Sequence, residues 1–172
     1  MDWKNTPATF RYKLTANQSI IDADVKTIKE FGITGQNKFI RSIVKIDRST
    51  KNLQNMTKGK DPVFSEEKLF LQVLLEGKAS LYLFDDGTVT RFFYKIDNSE
   101  IKQLIYKTYL ADDYNIAKNN YFREQLFIDL KCDAISQNEY ETLSYTKNSL
   151  TRFFIKYNKC NNSEVVDFEV KE

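Results

Sequence analysis

LFLQVLLEGKASLYLFDDGTVTRFFYKI, residues 69–96, decides the fold. It reads as three antiparallel strands joined by two tight turns. Asp86-Gly87 predicts a two-residue type I′ loop, because that loop needs positive φ at both central positions and Asp and Gly tolerate it. Gly77-Lys78 fits the Gly-X pattern of a type II′ loop. These turns set a register. Phe84 faces Val89, Tyr82 faces Arg91 and Leu81 faces Phe92 across the second; Leu74 faces Leu81 and Val73 faces Tyr82 across the first. One face then carries Leu71, Val73, Leu75, Tyr82, Phe84, Val89 and Phe93. The other carries Phe70, Leu74, Leu81, Leu83, Phe92, Tyr94 and Ile96. A sheet wetted on one side alternates apolar and polar residues. This one is apolar on both faces and therefore expects cover on both.

Upstream, Thr9 to Leu14 alternates Phe10, Tyr12 and Leu14 against Arg11 and Lys13, a half-buried strand. Ser19 to Asp24 reads as a second strand pairing back. Val25, Ile28 and Phe31 fit a helical turn or a strand equally. Gly32 and Gly35 punctuate a loop, and Lys38 to Asp47 is a clearer strand. Residues 48–66 form a loop with turn residues Asn52, Asn55, Gly59 and Pro62, and it is expected to be mobile.

Downstream, Ile101 to Leu110 fits helix or strand; its density of Ile, Tyr and Thr favours a fourth meander strand. Asp112 to Asn120 reads as polar linker. Asn119 or Asn120 can cap a helix with the stripe Phe122, Leu126, Phe127 and Leu130, ending near Cys132. Ser136 and Glu139 have capping-box spacing, with Ile135 and Tyr140 placed as a hydrophobic staple, and predict a helix to about Leu143. A last helix runs from near Thr146 to about Cys160 on the stripe Leu150, Phe153, Phe154 and Tyr157. These aromatics are expected to cover one face of the meander, with the N-terminal strands on the other. Val165 to Val170 reads as an edge strand or the start of a linker.

The 172 residues are the size of one domain. Residues 7–110 are β-rich, 119–160 helical and 161–172 a tail. An apolar share of 41%, aromatics at 14% and charged residues at 29% describe a folded, well-solvated chain. Its apolar runs are too short to span a bilayer. Met1 is followed directly by Asp2-Trp3, without the basic and apolar segments of a signal peptide, so the start reads as a cut in a longer chain. The net charge of +2 hides an asymmetry: residues 1–60 hold 12 Lys/Arg and 5 Asp/Glu, residues 61–172 hold 14 and 19.

The chain contains no histidine, so the usual general base near neutral pH and the commonest metal ligand are missing. Two cysteines, Cys132 and Cys160, are too few for a zinc site without His. Each lies at the C-terminal end of a predicted helix. They read equally as a disulfide or as two buried thiols. Asp85-Asp86 and Asp112-Asp113 are accounted for by turn and linker chemistry. Thr57-Lys58-Gly59-Lys60 is not a phosphate loop. Ser65, Ser80 and Ser99 lack both the GxSxG context and a His partner. No catalytic, metal or cofactor site is read. Phe10-Arg11-Tyr12-Lys13 and Arg91-Phe92-Phe93-Tyr94-Lys95 interleave bases and aromatics as single-stranded nucleic-acid binders do. The same pattern is ordinary amphipathic strand, and nucleic acid is the alternative rather than the preferred partner.

The run FLxVLxEGKAxLY from Phe70 to Tyr82, the segments Gln125-Leu126 and Leu130-Lys131-Cys132, and Tyr157-Asn158 with Cys160 carry a resemblance over about Asp2 to Phe168. The chain resembles the extracytoplasmic N-terminal domain of uncharacterised Gram-negative envelope proteins. There a signal peptide precedes the domain and a PorT-like outer-membrane β-barrel often follows. The matching motifs are structural, not catalytic. The resemblance implies a non-enzymatic module for protein interaction or structure, on the periplasmic or cell-surface side of the outer membrane. Its partner would be another envelope protein or a C-terminal barrel of the same chain. It also implies an oxidising compartment, which favours a Cys132–Cys160 disulfide. The expected fold is α+β: an antiparallel β-meander centred on 69–96, with N-terminal strands and three C-terminal helices packed on it.

Overall fold

A computed structural model describes residues 5–13, 15–33 and 37–168. The start at Met1, Asp2 and Trp3, and Leu14, Gly35 and Val170, lie outside the described residues. The elements are β1 (Thr9–Tyr12), β2 (Ile21–Asp24), β3 (Glu30–Ile33), β4 (Asn37–Asp47), β5 (Phe64–Glu76), β6 (Ala79–Asp85), β7 (Thr90–Ile96), β8 (Lys102–Gln103), β9 (Lys107–Leu110), β10 (Ile116–Asn119), α1 (Phe122–Asp129), α2 (Gln137–Thr142), α3 (Lys147–Cys160) and β11 (Val166–Asp167). The fold is α+β. Its main sheet has the order β3-β4-β5-β6-β7-β8, with β11 antiparallel to β5 at Leu75 and Glu76, past the end of the β4–β5 ladder. β1–β2 and β9–β10 are separate hairpins.

The meander stands where expected, but its turns differ in detail. Asp85 pairs with Thr90 and Phe84 with Arg91, so Asp86 to Val89 form a four-residue loop instead of a two-residue one. Asp86 Oδ1 accepts from Thr88 N at 2.9 Å and Val89 N at 3.0 Å, and only Gly87 in this loop takes positive φ, +85°. The side-chain hydrogen bonds of Asp86 thus favour a wider turn than its place beside Gly suggests. The slip moves each partner by two positions, and because side chains alternate with period two the faces are unchanged. At the first turn Val73 does face Tyr82, but Leu75, not Leu74, faces Leu81. The bulge between them moves Leu75 to the helical side. Gly77 does not take the positive φ of a type II′ turn. A Cβ there would come 2.7 Å from Asn158 Oδ1, so Gly is required by close approach, not by conformation.

Two cores follow. On the helical side Leu74, Leu75, Leu81, Phe92 and Tyr94 pack with Phe122, Leu126, Leu150, Phe154 and Tyr157. On the opposite side Leu71, Val73, Tyr82, Phe84, Val89 and Phe93 pack with Val44 and Ile46 of β4. Of the N-terminal strands expected on that second face, β4 takes part through Val44 and Ile46, but the β1–β2 hairpin does not. Phe10 of β1 stacks 4.1 Å from Phe31, which lies 4.8 Å from Phe70 and 4.9 Å from Phe39, a patch continuous with the helical face. The second core is instead enclosed by the sheet itself, which curls until β4 meets β8. A bulge in the central pair adds to the natural twist and favours this curl.

Residues 101–110 are not one strand. β8 stays on β7, while β9 leaves to pair with β10. The expected linker at 112–120 therefore contains a strand. Its charged residues kept it from reading as one, and its ladder to β9 is what makes it extended. Gly32 likewise lies in β3, not in a loop. The loop before β5, expected to be mobile, is tied at several points: Leu110 N donates to Thr57 O at 3.1 Å, Lys107 Nζ to Asp61 O at 2.7 Å and Asn119 Nδ2 to Lys60 O at 2.8 Å. Met56 is buried.

The helices start and stop largely where their caps dictate. The Ser136–Glu139 capping box forms, and Ile135 and Tyr140 are both buried. Thr146 caps α3 by accepting from Ser149 N. Leu150, Phe153, Phe154 and Tyr157 are buried, each contributing about 1.5–3 kcal/mol of apolar burial. α1 has Tyr121 at its N-cap without a side-chain cap; Asn119, two residues before it, accepts from Tyr121 N through Oδ1. Phe127, expected in its buried stripe, is exposed.

Candidate functional site

The chemistry-bearing side chains gather where β4 ends against β7 and β8. Asp47, 1% exposed, closes β4. Its N donates to Gln103 Oε1 at 2.9 Å, and its carbonyl accepts from Arg91 Nε at 2.8 Å. Its Oδ1 accepts from Ser49 Oγ at 2.7 Å and Val63 N at 3.2 Å. Arg91 Nη2 lies 3.6 Å from Asp47 Oδ2, a buried ion pair. Taking both charges out of water is costly, and the surrounding hydrogen bonds offset that cost. The arrangement locks β4 to β7 and to the following loop. Asp47 Oδ2 itself accepts no hydrogen bond among the described residues and faces Arg91 only through the ion pair.

Beside it Arg48 donates from Nε and Nη2 to the two oxygens of Glu67, at 3.1 and 2.7 Å, and from Nη1 to Asp86 Oδ2. Its guanidinium stacks 4.8 Å over Phe84. The Arg48 hydrogen bond holds the Glu67 carboxyl below its ordinary range. For Asp86, desolvation pushes upward but the bonds from Thr88, Val89 and Arg48 outweigh it and hold the carboxyl low. Asp85 accepts from Gly87 N and Thr90 Oγ1. Asp112 is held low by the Asn115 amide and the Tyr114 and Asn115 backbone, and Asp113 pairs with Lys58. Both carboxylate pairs noted in the sequence are thus engaged in turns and ion pairs. Ser65 donates to Glu67, Ser80 bonds Gly77 and Ser99 accepts from Ile96 N. Among the described residues no group of three or more His, Cys, Asp or Glu could hold a metal ion.

The two basic, aromatic stretches part company. Arg91, Phe92, Phe93 and Tyr94 are buried, which leaves no ring there for a base to stack on. In the first, Phe10 packs on Phe31 and Arg11 pairs with Asp22 at 3.0 Å.

Cys132, after α1, and Cys160, the last residue of α3, are joined in a disulfide with Cα atoms 6.5 Å apart. Cys132 is buried and Cys160 exposed.

Between β4 and β8 lies a groove of about 850 Å³, lined by Ile43, Lys45, Phe64, Ile101, Lys102 and Gln103 among others. That volume falls in the range of small-ligand and short-peptide sites. Gln125 of α1 caps its β8 side, accepting from Ile105 N at 2.8 Å and donating to Gln103 O at 3.2 Å. Gln103 is 4% exposed, and its Nε2 has no hydrogen-bond partner among the described residues. Sequence reading missed this groove. Its residues are ordinary strand residues, and only the curl of the sheet brings β4 beside β8. A second cleft of about 580 Å³ lies between α1 and α2, next to the exposed Phe127.

The structure is thus an α+β domain with a disulfide-linked helical layer and a sheet curled almost shut. No known family model, curated protein or solved structure matches the chain. No helix among the described residues is long and apolar enough to cross a membrane.

Proposed function

We propose that this chain is a non-catalytic cell-envelope domain that works by binding protein, on the periplasmic or cell-surface side of an outer membrane. The observation that carries the reading is the Cys132–Cys160 disulfide, because structural disulfides persist in oxidising compartments and are rare elsewhere. Two further features support it. The carboxylates with lowered pKa values sit in ion pairs, caps and turns rather than in a cleft with a nucleophile. The motifs that resemble the envelope family include both cysteines. The partner is another envelope protein or a barrel carried by the same polypeptide.

The test is to block thiols by alkylation at the moment of lysis of the native cells and to weigh the protein. A Cys132–Cys160 linked peptide, with neither thiol alkylated, is the expected result. Two alkylated cysteines would place the chain in a reducing compartment and overturn the proposal.

A further inference from the structure

The β9–β10 hairpin stands apart from the main sheet. Ala111 N donates to Asn115 O at 2.9 Å, and Leu110 N donates away from the hairpin to Thr57 O at 3.1 Å. In an antiparallel pair, residues that bond across the ladder alternate with residues that bond outward. The register runs from Ile116 opposite Leu110 to Asn119 opposite Lys107. Ala117 and Asn119 therefore turn their backbone groups to β9, and Ile116 and Lys118 turn theirs outward. No described strand pairs with β10 on that side, and no other backbone group among the described residues bonds the N–H or C=O of Ile116 or Lys118.

Large apolar side chains gather along the same edge. Tyr114, at the hairpin tip, is 94% exposed, and Ile116 and Tyr121 are exposed too. Asp112 Oδ1 accepts from Tyr114 N and Asn115 N, both at 2.8 Å, so the Tyr114 ring is carried on an ordered turn. At the other end of β10 opens the cleft of about 580 Å³ between α1 and α2. Tyr121, Phe127 and Tyr140 line it, and Asn119 and Asn120 reach it from the end of β10.

We infer that two copies of this chain pair through β10, each placing Tyr114 at the α1–α2 cleft of the other. Register leads to this arrangement. The outward-facing residues must bond each other, so Ile116 of one copy meets Lys118 of the other, and the two-fold axis passes through Ala117. The pair on the axis is not hydrogen-bonded, which is where strands come closest, and Ala117 is small enough for it. Lys118 meets isoleucine and not a second lysine, so the edge lysine brings no like-charge contact. Counting on from the axis, Tyr114 arrives opposite Asn120 of the other copy, a residue of the cleft. The most exposed large apolar side chain among the described residues thus reaches an aromatic-walled cleft. Tyrosines seated in such pockets carry much of the energy of an interface. The edge is short, so the dimer is a transient one. It goes beyond the binding role proposed above, and its test reads association rather than cysteine chemistry, so either can fail alone.

The test is sedimentation equilibrium of the intact chain from micromolar to millimolar concentration, where a monomer–dimer equilibrium is expected. Tyr114→Ala is expected to weaken the dimer at least tenfold and to leave the monomer fold intact, since the ring stands almost wholly in solvent. Ile116→Lys sets lysine against lysine at both symmetric pairs and is expected to abolish association. Adding Lys118→Glu makes both pairs opposite in charge and is expected to restore association, now weakened by salt. Amide exchange of the β9–β10 ladder checks that each variant keeps its hairpin; if Ile116→Lys loses it, Tyr114→Ala carries the test by itself. A chain that stays monomeric at millimolar concentration, a Tyr114→Ala variant that associates as tightly as the original, or a folded double variant no better than Ile116→Lys would each overturn the inference. Association that continues past two copies would mean a head-to-tail contact and overturn it equally.

Discussion

Asn158 shows how one residue ties two layers together. It lies on the buried face of α3, fully enclosed. Its Oδ1 accepts from Ala79 N at 3.0 Å, and its Nδ2 donates to Ala79 O at 2.8 Å and Phe154 O at 2.9 Å. A single amide thus satisfies the start of β6 as a strand partner would. Asn158→Ala leaves those buried groups unpaired and is expected to destabilise by about 2–3 kcal/mol, read from urea unfolding. Gly77→Ala puts a methyl against the same amide and is expected to cost about 1–3 kcal/mol by overpacking. The double variant is expected to cost less than the sum, because the small side chain removes the clash; strict additivity would show that Gly77 and Asn158 are not coupled. Neither role was legible in the sequence. Asn158 falls on the stripe side of α3 by spacing, but its partner is 79 residues away, and Gly77 looked like a turn residue.

At the scale of elements, local chemistry was read well and pairing less so. The capping box and staple of α2 are contained within a few residues, and they form as spaced. The carboxylate that makes the box also links α2 to α3. The Lys156 ammonium, 2.5 Å from Glu139 Oε1, followed by Ser136 N, draws the Glu139 pKa down to about 2. A carboxyl depressed in the folded state stabilises above its unfolded pKa and loses that contribution as pH falls through the folded value. The α2–α3 link is therefore expected to be intact above about pH 4.5 and to be lost toward pH 2. An NMR titration of the Glu139 side chain should show a midpoint well below that of a free glutamate. A midpoint near 4.5 would mean the link does not hold in solution. Tyr145 makes a longer connection: its enclosed hydroxyl donates to Leu104 O and accepts from Phe92 N, both at 3.0 Å. Tyr145→Phe leaves both groups short of a partner and is expected to cost about 1–3 kcal/mol, measured by the shift of the urea midpoint. No shift would show that the bridge is dispensable. The second turn of the meander differs from expectation by two residues because Asp86 forms side-chain bonds that a list of turn dipeptides does not contain, yet the faces there survive because parity survives an even slip; at the first turn the bulge carries Leu75 to the other face.

For the whole molecule, the disulfide is the largest single constraint on the chain. It closes a loop between residues 28 apart, worth about 3–4 kcal/mol in the chain-entropy model. Reduction, or Cys132→Ser with Cys160→Ser, is expected to lower stability by about that amount, read as the difference between urea melts with and without reductant. Equal melts would show that the loop is already ordered without the bond. What the residues by themselves determined is the class of structure: a β-meander apolar on both faces, three C-terminal helices and no histidine-based chemistry. These are properties of spacing and composition, which act between near neighbours. What only the tertiary structure decided is how the second face is covered. The sheet curls over its own core until β4 meets β8. Curl is the sum of small twists and one bulge over five strands, and no local pattern records where such a sum brings the first strand back to the last.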